Sequence, residues 1–327
     1  MRTAICCIAK CENNYLKEWV DYHLDLGFSH IYIYDNNNVN GECILPTVAN
    51  YEQVTIIDCR GKRAYQTIAY ADFYKSFGSQ YDWITFIDVD EFITFSKESG
   101  ICKIDEFLGR FNETVDIIHL NWMCYGDNDI VDINDNFSVL DRFVRPLDYN
   151  QNIQYDFPEN NHVKSIIRGN LDLRNGTMHQ HSPIGDSFHV VGADGIPCKN
   201  GSFKPYEFSI AYIRHYVTKT IYEWILKVSR GRVSMNIATE LYPIDKFFLY
   251  NKRTAEKEKV VRDFLLFKDA IAFSADTELS CYREELKKVN AQLTKTNKSY
   301  TAVLSSNSYK LGKSLIAPFK WLKTKIR

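Results

Sequence analysis

Long apolar runs are missing from this chain of 327 residues. No segment approaches the roughly eighteen consecutive apolar residues that a membrane-spanning helix needs. The apolar start breaks at Lys10, which reads as a first strand and not as a signal peptide. Cys-X-X-Cys pairs are also missing, although there are nine cysteines. An odd, scattered set, with Cys6 and Cys7 adjacent in a strand-like run, points to reduced core thiols, not to a disulfide scaffold or a zinc site. Strong charge of either sign is missing too. A net charge of −1 gives no general pull toward nucleic acid. No glycine-rich loop follows the first strand. Lys10-Cys11-Glu12-Asn13-Asn14 stands there, which argues against a P-loop or a dinucleotide fingerprint. Nor is there an internal repeat. The expected location is cytoplasmic, since redox usage and the lack of spans both favour it.

What the chain has is a large apolar and aromatic content, 45% and 14%, so a sizeable core is expected and wholesale disorder is not. Its first hundred residues alternate strand and helix. Residues 3–9 read as a buried strand. Residues 15–26 read as a helix with Leu16, Trp19, Val20, His23 and Leu24 on one face, ended by Gly27. Further strands are predicted at 31–34, 54–58 and 83–87, and a second helix at 64–77. Such alternation with short links predicts an α/β fold, a parallel sheet covered on both faces. Later strands are predicted at 163–169, 187–191 and 207–215, and a helix at 221–228. Between them, 126–161 is rich in Asp and Asn and reads as an irregular surface segment near an active-site mouth. Asp127-Asn128-Asp129 is not an EF-hand, because the sixth position is Asp132 and not Gly.

Beyond Pro243 the character changes. Residues 256–273 and 277–296 are charged helical patterns. Leu279, Tyr282, Leu286, Val289 and Leu293 follow a coiled-coil spacing for about two heptads, which suits either packing on the same chain or a homo-oligomer. The segment 308–327 holds six basic residues and no acid, with Leu311, Leu315, Phe319, Leu322 and Ile326 on one stripe and Trp321 beside it. That pattern suits an anionic membrane surface on the inner face, with Pro318 interrupting the helix; the alternative is a solvated chain end. The expected domains are 1–243 (transferase), 244–300 (helical extension) and 301–327 (basic amphipathic tail).

The most informative residues are Asp88-Val89-Asp90-Glu91, directly after the predicted strand 83–87. Open α/β sheets present their ligand crevice at the carboxyl ends of strands. Two carboxylates there suit a hard divalent cation such as Mg²⁺ or Mn²⁺, which neutralises a diphosphate. The same edge gathers Lys10 to Asn13 after the first strand and Asp35 with Asn37 after the second. Asp35 is placed to accept from a base or ribose, or simply to close an Asx turn. Arg63 and Gln66 open the next helix and can face a nucleotide or solvent.

The segment from Ala9 to His23, with Lys10, Glu12, Asn13, Tyr15, Leu16, Glu18, Trp19, Tyr22 and His23, resembles the opening of a bacterial glycosyltransferase group related to families 2 and 92. Ile33-Tyr34-Asp35-Asn36, Trp83 to Phe92, Trp122 with Gly126, and Lys164-Ser165-Ile166 with His179 resemble later motifs of that group, in order. So do His215-Tyr216-Val217-Thr218-Lys219-Thr220 and then Glu223, Lys227, Arg230 and Gly231. Cys11 and Thr220 depart from the usual Asn and Ser, and neither change removes a carboxylate or a histidine.

The resemblance implies a GT-A fold, Rossmann-like and built for nucleotide-diphospho-sugars, here with a C-terminal helical extension. It implies transfer of a sugar from a nucleotide-diphosphate donor to a glycan or lipid-linked acceptor, with a metal, Mn²⁺ or Mg²⁺, and with inversion. Asp90 is then a metal ligand, and Asp88 meets the ribose or a metal-bound water. Glu91 orients either one. His179, His181 and His215 are candidates to complete the metal set. Lys10, Glu12, Asp35, Asn37, Gln66, Asp88, Lys219 and Arg230 are expected at the donor, with Lys227 near the diphosphate. Inversion needs one carboxylate base, and Asp186, Asp194, Glu207 and Glu223 all qualify. Two other readings stand. A haloacid-dehalogenase-type phosphatase also uses Asp-X-Asp, but near its chain start. A non-catalytic sugar-binding or scaffold protein would share the fold without the chemistry.

Overall fold

The computed structural model describes residues 1–131, 136–147, 161–171, 188–198, 207–230 and 244–251. The elements, in chain order, are β1 (Thr3–Ala9), α1 (Asn13–Asp25), β2 (His30–Asp35), α2 (Leu45–Val48), β3 (Val54–Asp58), α3 (Gln66–Phe77), β4 (Trp83–Phe86) and β5 (Glu91–Phe95). They continue with α4 (Ile104–Leu108), β6 (Ile117–Cys124), α5 (Val139–Arg142), β7 (Val163–Arg168), β8 (Val190–Gly192), β9 (Ala211–His215), α6 (Ile221–Ser229) and α7 (Ile244–Asn251). All of these lie in one compact unit, 1–265.

β1 is buried along its whole length because it is central and covered on both faces. Its side chains alternate between two apolar layers. Ile5, Cys7 and Ala9 pack in the layer that holds Leu16, Trp19 and Val20 of α1. Ala4, Cys6 and Ile8 pack in the layer that holds Ala69, Tyr70 and Phe73 of α3. Gly27 ends α1 at φ +102°, a backbone conformation that favours glycine.

The described strands order as β3-β2-β1-β4-β7-β6-β9-β5, with β8 on β6. Only part of this is the expected parallel sheet. β3, β2, β1 and β4 are mutually parallel, but β7 enters antiparallel to both β4 and β6, and β5 pairs antiparallel with β9. The sheet is therefore mixed. β6 joins its two parts: Ile117 to Asn121 pair with β7, and Trp122 to Cys124 pair with β9.

The segment read as an irregular surface is partly core. Val139 and Phe143 are buried, and Asp127 donates its backbone N–H to Asn251 of α7. α7 lies beyond the expected boundary at 243, and its buried Phe247 meets Trp224 of α6. The predicted helices 256–273 and 277–296, the tail 308–327, His179, His181 and Asp186 lie outside the described residues.

Candidate active site

The ends of β1, β2 and β4 lie side by side, with Ala9 level with Asp35 and Cys6 level with Phe86. Each chain leaves the sheet at a functional candidate. After β2, Asp35 Oδ1 accepts from the backbone N–H and the side-chain amide of Asn37 (3.0 and 2.8 Å), and Oδ2 accepts from Ile44 N–H (3.4 Å). This is an Asx turn, which Asp and Asn favour. Asn37 Oδ1 in turn accepts from Cys11 N–H at 2.7 Å. Cys11 sits at φ 53°, so the loop after β1 is bent to meet it. Arg230, just past α6, donates to the carbonyls of Lys10 and Cys11 and pairs with Glu12 at 2.5 Å. Lys10, Glu12, Asp35, Asn37 and Arg230 thus form one locked rim, although they span 220 residues of sequence.

After β4 the acidic segment crosses toward β5. Trp19 of α1 donates its indole N–H to the carbonyl of Glu91 (2.8 Å), which ties the crossing to the core. Asp88 Oδ1 accepts from Gln66 (3.1 Å) and Tyr70 (3.4 Å) of α3, and Oδ2 accepts from Lys164 (3.1 Å). Lys164 also meets Glu91 at 3.1 Å, and Glu91 accepts the backbone N–H of Asp88 (2.9 Å). Burial pushes the Glu91 carboxyl up; Lys164 opposes that push, and neighbouring Asp88 and Asp90 add to it. Burial opposes charge on Lys164, yet Asp88 and Glu91 outweigh it and hold the ammonium up to about 12.

Asp90 faces the other way, toward β9 and α6. Its Oδ2 accepts from Lys227 at 2.6 Å, and His215 Nε2 lies 3.8 Å from Oδ1. Burial works against this carboxylate, but Lys227, His215 and Lys219 together hold it well below the usual range. Burial lowers His215 to about 3, so its imidazole is neutral. Lys219 is 5% exposed, sits at φ 54° and places its ammonium 4.1 Å from the centre of the Tyr15 ring; burial lowers its pKa. Among the described residues no three His, Cys, Asp or Glu side chains are gathered for a metal. The donor chemistry still fits a substrate-shared ion. Mg²⁺ and Mn²⁺ are held by one or two carboxylates, with waters and phosphates completing the octahedron. An ionised Asp90 would supply a carboxylate of that kind, with the neutral His215 beside it as a softer second donor that suits Mn²⁺ better than Mg²⁺.

Glu223 is not placed as a base. It closes the capping box of α6, accepting from Thr220 N–H (2.9 Å) and Oγ1 (2.7 Å). Arg142 of α5 grips both its oxygens (2.9 and 2.8 Å), and Tyr15 donates to Oε1 at 2.7 Å. Glu207 accepts twice from Ser209, and Asp194 closes a turn on Ile196 N–H. Arg63 is exposed, whereas Gln66, which shares its segment, is buried on Asp88. Sequence reasoning missed Arg142 and Tyr15 as partners of Glu223. The capping pattern Thr220-X-X-Glu223 was the one local signal for that network.

Residues 2–245 match the profile of glycosyltransferase family 92. The chain belongs to glycosyltransferase family 92. Its motif follows a fourth, central strand, and membership displaces the phosphatase reading. The described part of this family 92 chain is a mixed α/β sheet. Among curated proteins none matches the chain. Solved structures with a similar arrangement include S. aureus TarS (9% identity, 86% of this chain and 46% of that one, TM-score 0.33). A second is HddC from Yersinia pseudotuberculosis (11% identity, 52% and 77%, TM-score 0.29). A third is glucosyl-3-phosphoglycerate synthase from Mycobacterium tuberculosis, in complex with Mn²⁺, uridine diphosphate and phosphoglyceric acid (10% identity, 62% and 72%, TM-score 0.28).

Proposed function

We propose that this family 92 member moves a sugar from a nucleotide-diphosphate donor to a glycan or lipid-linked acceptor, with inversion and with Mn²⁺ or Mg²⁺. One observation carries the reading: the two carboxylates after β4 stand on the edge built by β1, β2 and β4, with Lys164 on Asp88, Lys227 on Asp90 and the charge of Lys219 also bearing on Asp90, while Arg230 pairs with Glu12 on the same rim. Anionic donors need such opposed cations, and a shared ion needs such carboxylates.

Each residue then has a task. Asp35 and Asn37 shape the rim for the base or ribose, with Lys10 and Glu12 beside them. Gln66 and Lys164 orient Asp88 toward the ribose or a metal-bound water. Asp90 and His215 would hold the cation, and His179 is proposed as a further ligand. When bound, the ion neutralises the diphosphate. Lys219 and Lys227 stabilise the charge that develops on the leaving group, where preorganised cations lower the barrier most. The acceptor hydroxyl gives its proton to a carboxylate other than Glu223, whose oxygens are committed to Arg142, Tyr15 and Thr220.

Residues 1–243 are proposed as the transferase, 244–300 as a helical extension able to pair with a second copy through 277–296, and 301–327 as a basic tail. Among the described residues no helix is long and apolar enough to cross a membrane. A cytoplasmic enzyme held peripherally on the inner leaflet by 308–327 suits a lipid-linked acceptor. Calorimetry against a panel of nucleotide sugars with Mn²⁺ tests the function. Saturable binding of one class supports it, and no binding across the panel removes it in favour of a scaffold.

A further inference from the structure

Each aspartate of the Asp-X-Asp pair is held by a lysine, and the two lysines are not alike. Lys164 lies within β7, its side chain is 1% exposed, and it bridges Asp88 and Glu91 at 3.1 Å each. Moving it would strand two acids in the interior, so it is a fixed counter-ion. Lys227 lies in the last turn of α6 with its side chain 24% exposed. It donates to Asp90 Oδ2 at 2.6 Å and to the carbonyl of Val217 at 3.1 Å. A long, flexible ammonium at such a position can leave a carboxylate without stranding itself.

The other oxygen of Asp90 faces His215 Nε2 at 3.8 Å, beyond hydrogen-bond reach. Among the described residues the buried His215 Nδ1 has no hydrogen-bond partner. A dication held by Asp90 and His215 would share Asp90 with the Lys227 ammonium, and like charges repel strongly in a low-dielectric site.

We infer that Lys227 is the placeholder for the divalent cation at Asp90. It neutralises Asp90 until cation and diphosphate are both present, then moves from the carboxylate to the diphosphate. Lys164 keeps Asp88 in place throughout. The inference rests on the proposed function. It gives Lys227 a task at Asp90 before it meets the diphosphate, and it couples the two ligands. The cation alone must displace an ammonium, whereas with the diphosphate that ammonium has a new partner. Linkage then strengthens each ligand's binding by the same factor.

The test is binding of Mn²⁺ alone to the full chain, read by loss of the free-ion paramagnetic resonance signal. Lys227→Met is expected to bind Mn²⁺ about tenfold or more tightly than wild type, since the competing charge is gone. Lys219→Met removes a second cation whose charge bears on Asp90, whereas Lys227 is the one bonded to it, and the Lys219 variant is expected to gain much less. Equal gains in the two variants, or no gain in Lys227→Met, would overturn the placeholder role while leaving the cation site intact. Binding that is unchanged by Asp90→Asn would instead overturn the cation site. Thermal unfolding checks each fold, and Lys227→Gln replaces Lys227→Met if the latter does not fold.

Discussion

Arg142→Met tests the anchoring role of Glu223. The Arg142 side chain is 6% exposed and that of Glu223 is 2% exposed, with two short bonds between them. Burial alone would raise the Glu223 carboxyl, but Arg142 and Lys219 outweigh it and pull it down to about 2. Removing the guanidinium leaves a buried carboxylate with the neutral donors of Tyr15 and Thr220 and the charge of Lys219, which does not bond it among the described residues. Breaking a buried pair from one side costs roughly 3–5 kcal/mol. For a domain of this size, each kcal/mol moves the melting temperature by about 2–4 °C, so Tm should fall by roughly 6–20 °C at neutral pH. The sign with pH is fixed. A carboxyl lowered on folding contributes stability above its unfolded value near 4.5, and that contribution is lost as pH falls toward 2. The gap between wild type and Arg142→Met should therefore narrow below pH 4.5. Differential scanning calorimetry from pH 7 to 3 measures both quantities, and a double-mutant cycle with Glu223→Gln isolates the pair. A Tm within about 2 °C of wild type at neutral pH would refute the reasoning.

Asp35→Ala removes an acceptor of three hydrogen bonds at the rim, so affinity for free nucleoside diphosphate should fall roughly tenfold or more; unchanged calorimetric binding would leave Asp35 as a turn residue only. His23 is fully buried, donates Nδ1–H to Trp19 O and accepts from Ile93 N–H, and burial lowers it to about 3 from 6.5. Its unfolded form takes up a proton first, so stability should drop by about 1.4 kcal/mol per pH unit below 6.5, and a denaturant series that shows the same slope in His23→Gln contradicts this. A 1–307 truncation should lose salt-sensitive flotation with anionic liposomes; equal flotation of both proteins removes the tail as an anchor.

Much of the fold was readable because burial writes itself into residue pattern. β1 and β3 were predicted with the bounds they have, and α1, β2, α3 and β4 within a few residues. β5 escaped because it begins with Glu91, a charge that ordinarily marks a loop. Inside this strand it is held by Lys164, which arrives from β7, and by the backbone N–H of Asp88. β6 escaped because His119 and Asn121 interrupt its apolar character. They are buried all the same, and His119 bonds Ser165 at 3.0 Å. The antiparallel half could not be read, since register between distant strands leaves no local trace. The same holds in the site. Asp88 and Asp90 were conspicuous as paired acids after an apolar run. Their counter-ions were not, because Lys164 is 76 residues away and Lys227 is 137. Glu223 looked like a free acid until Arg142, 81 residues upstream, met it.

The most direct measurement of the central claim is release of nucleoside diphosphate from a panel of nucleotide sugars with Mn²⁺, comparing wild type with Asp90→Asn of verified fold. The account predicts that wild type turns over one class of donor and that Asp90→Asn releases nothing above background. Release by Asp90→Asn at a near wild-type rate would contradict the assignment of the site.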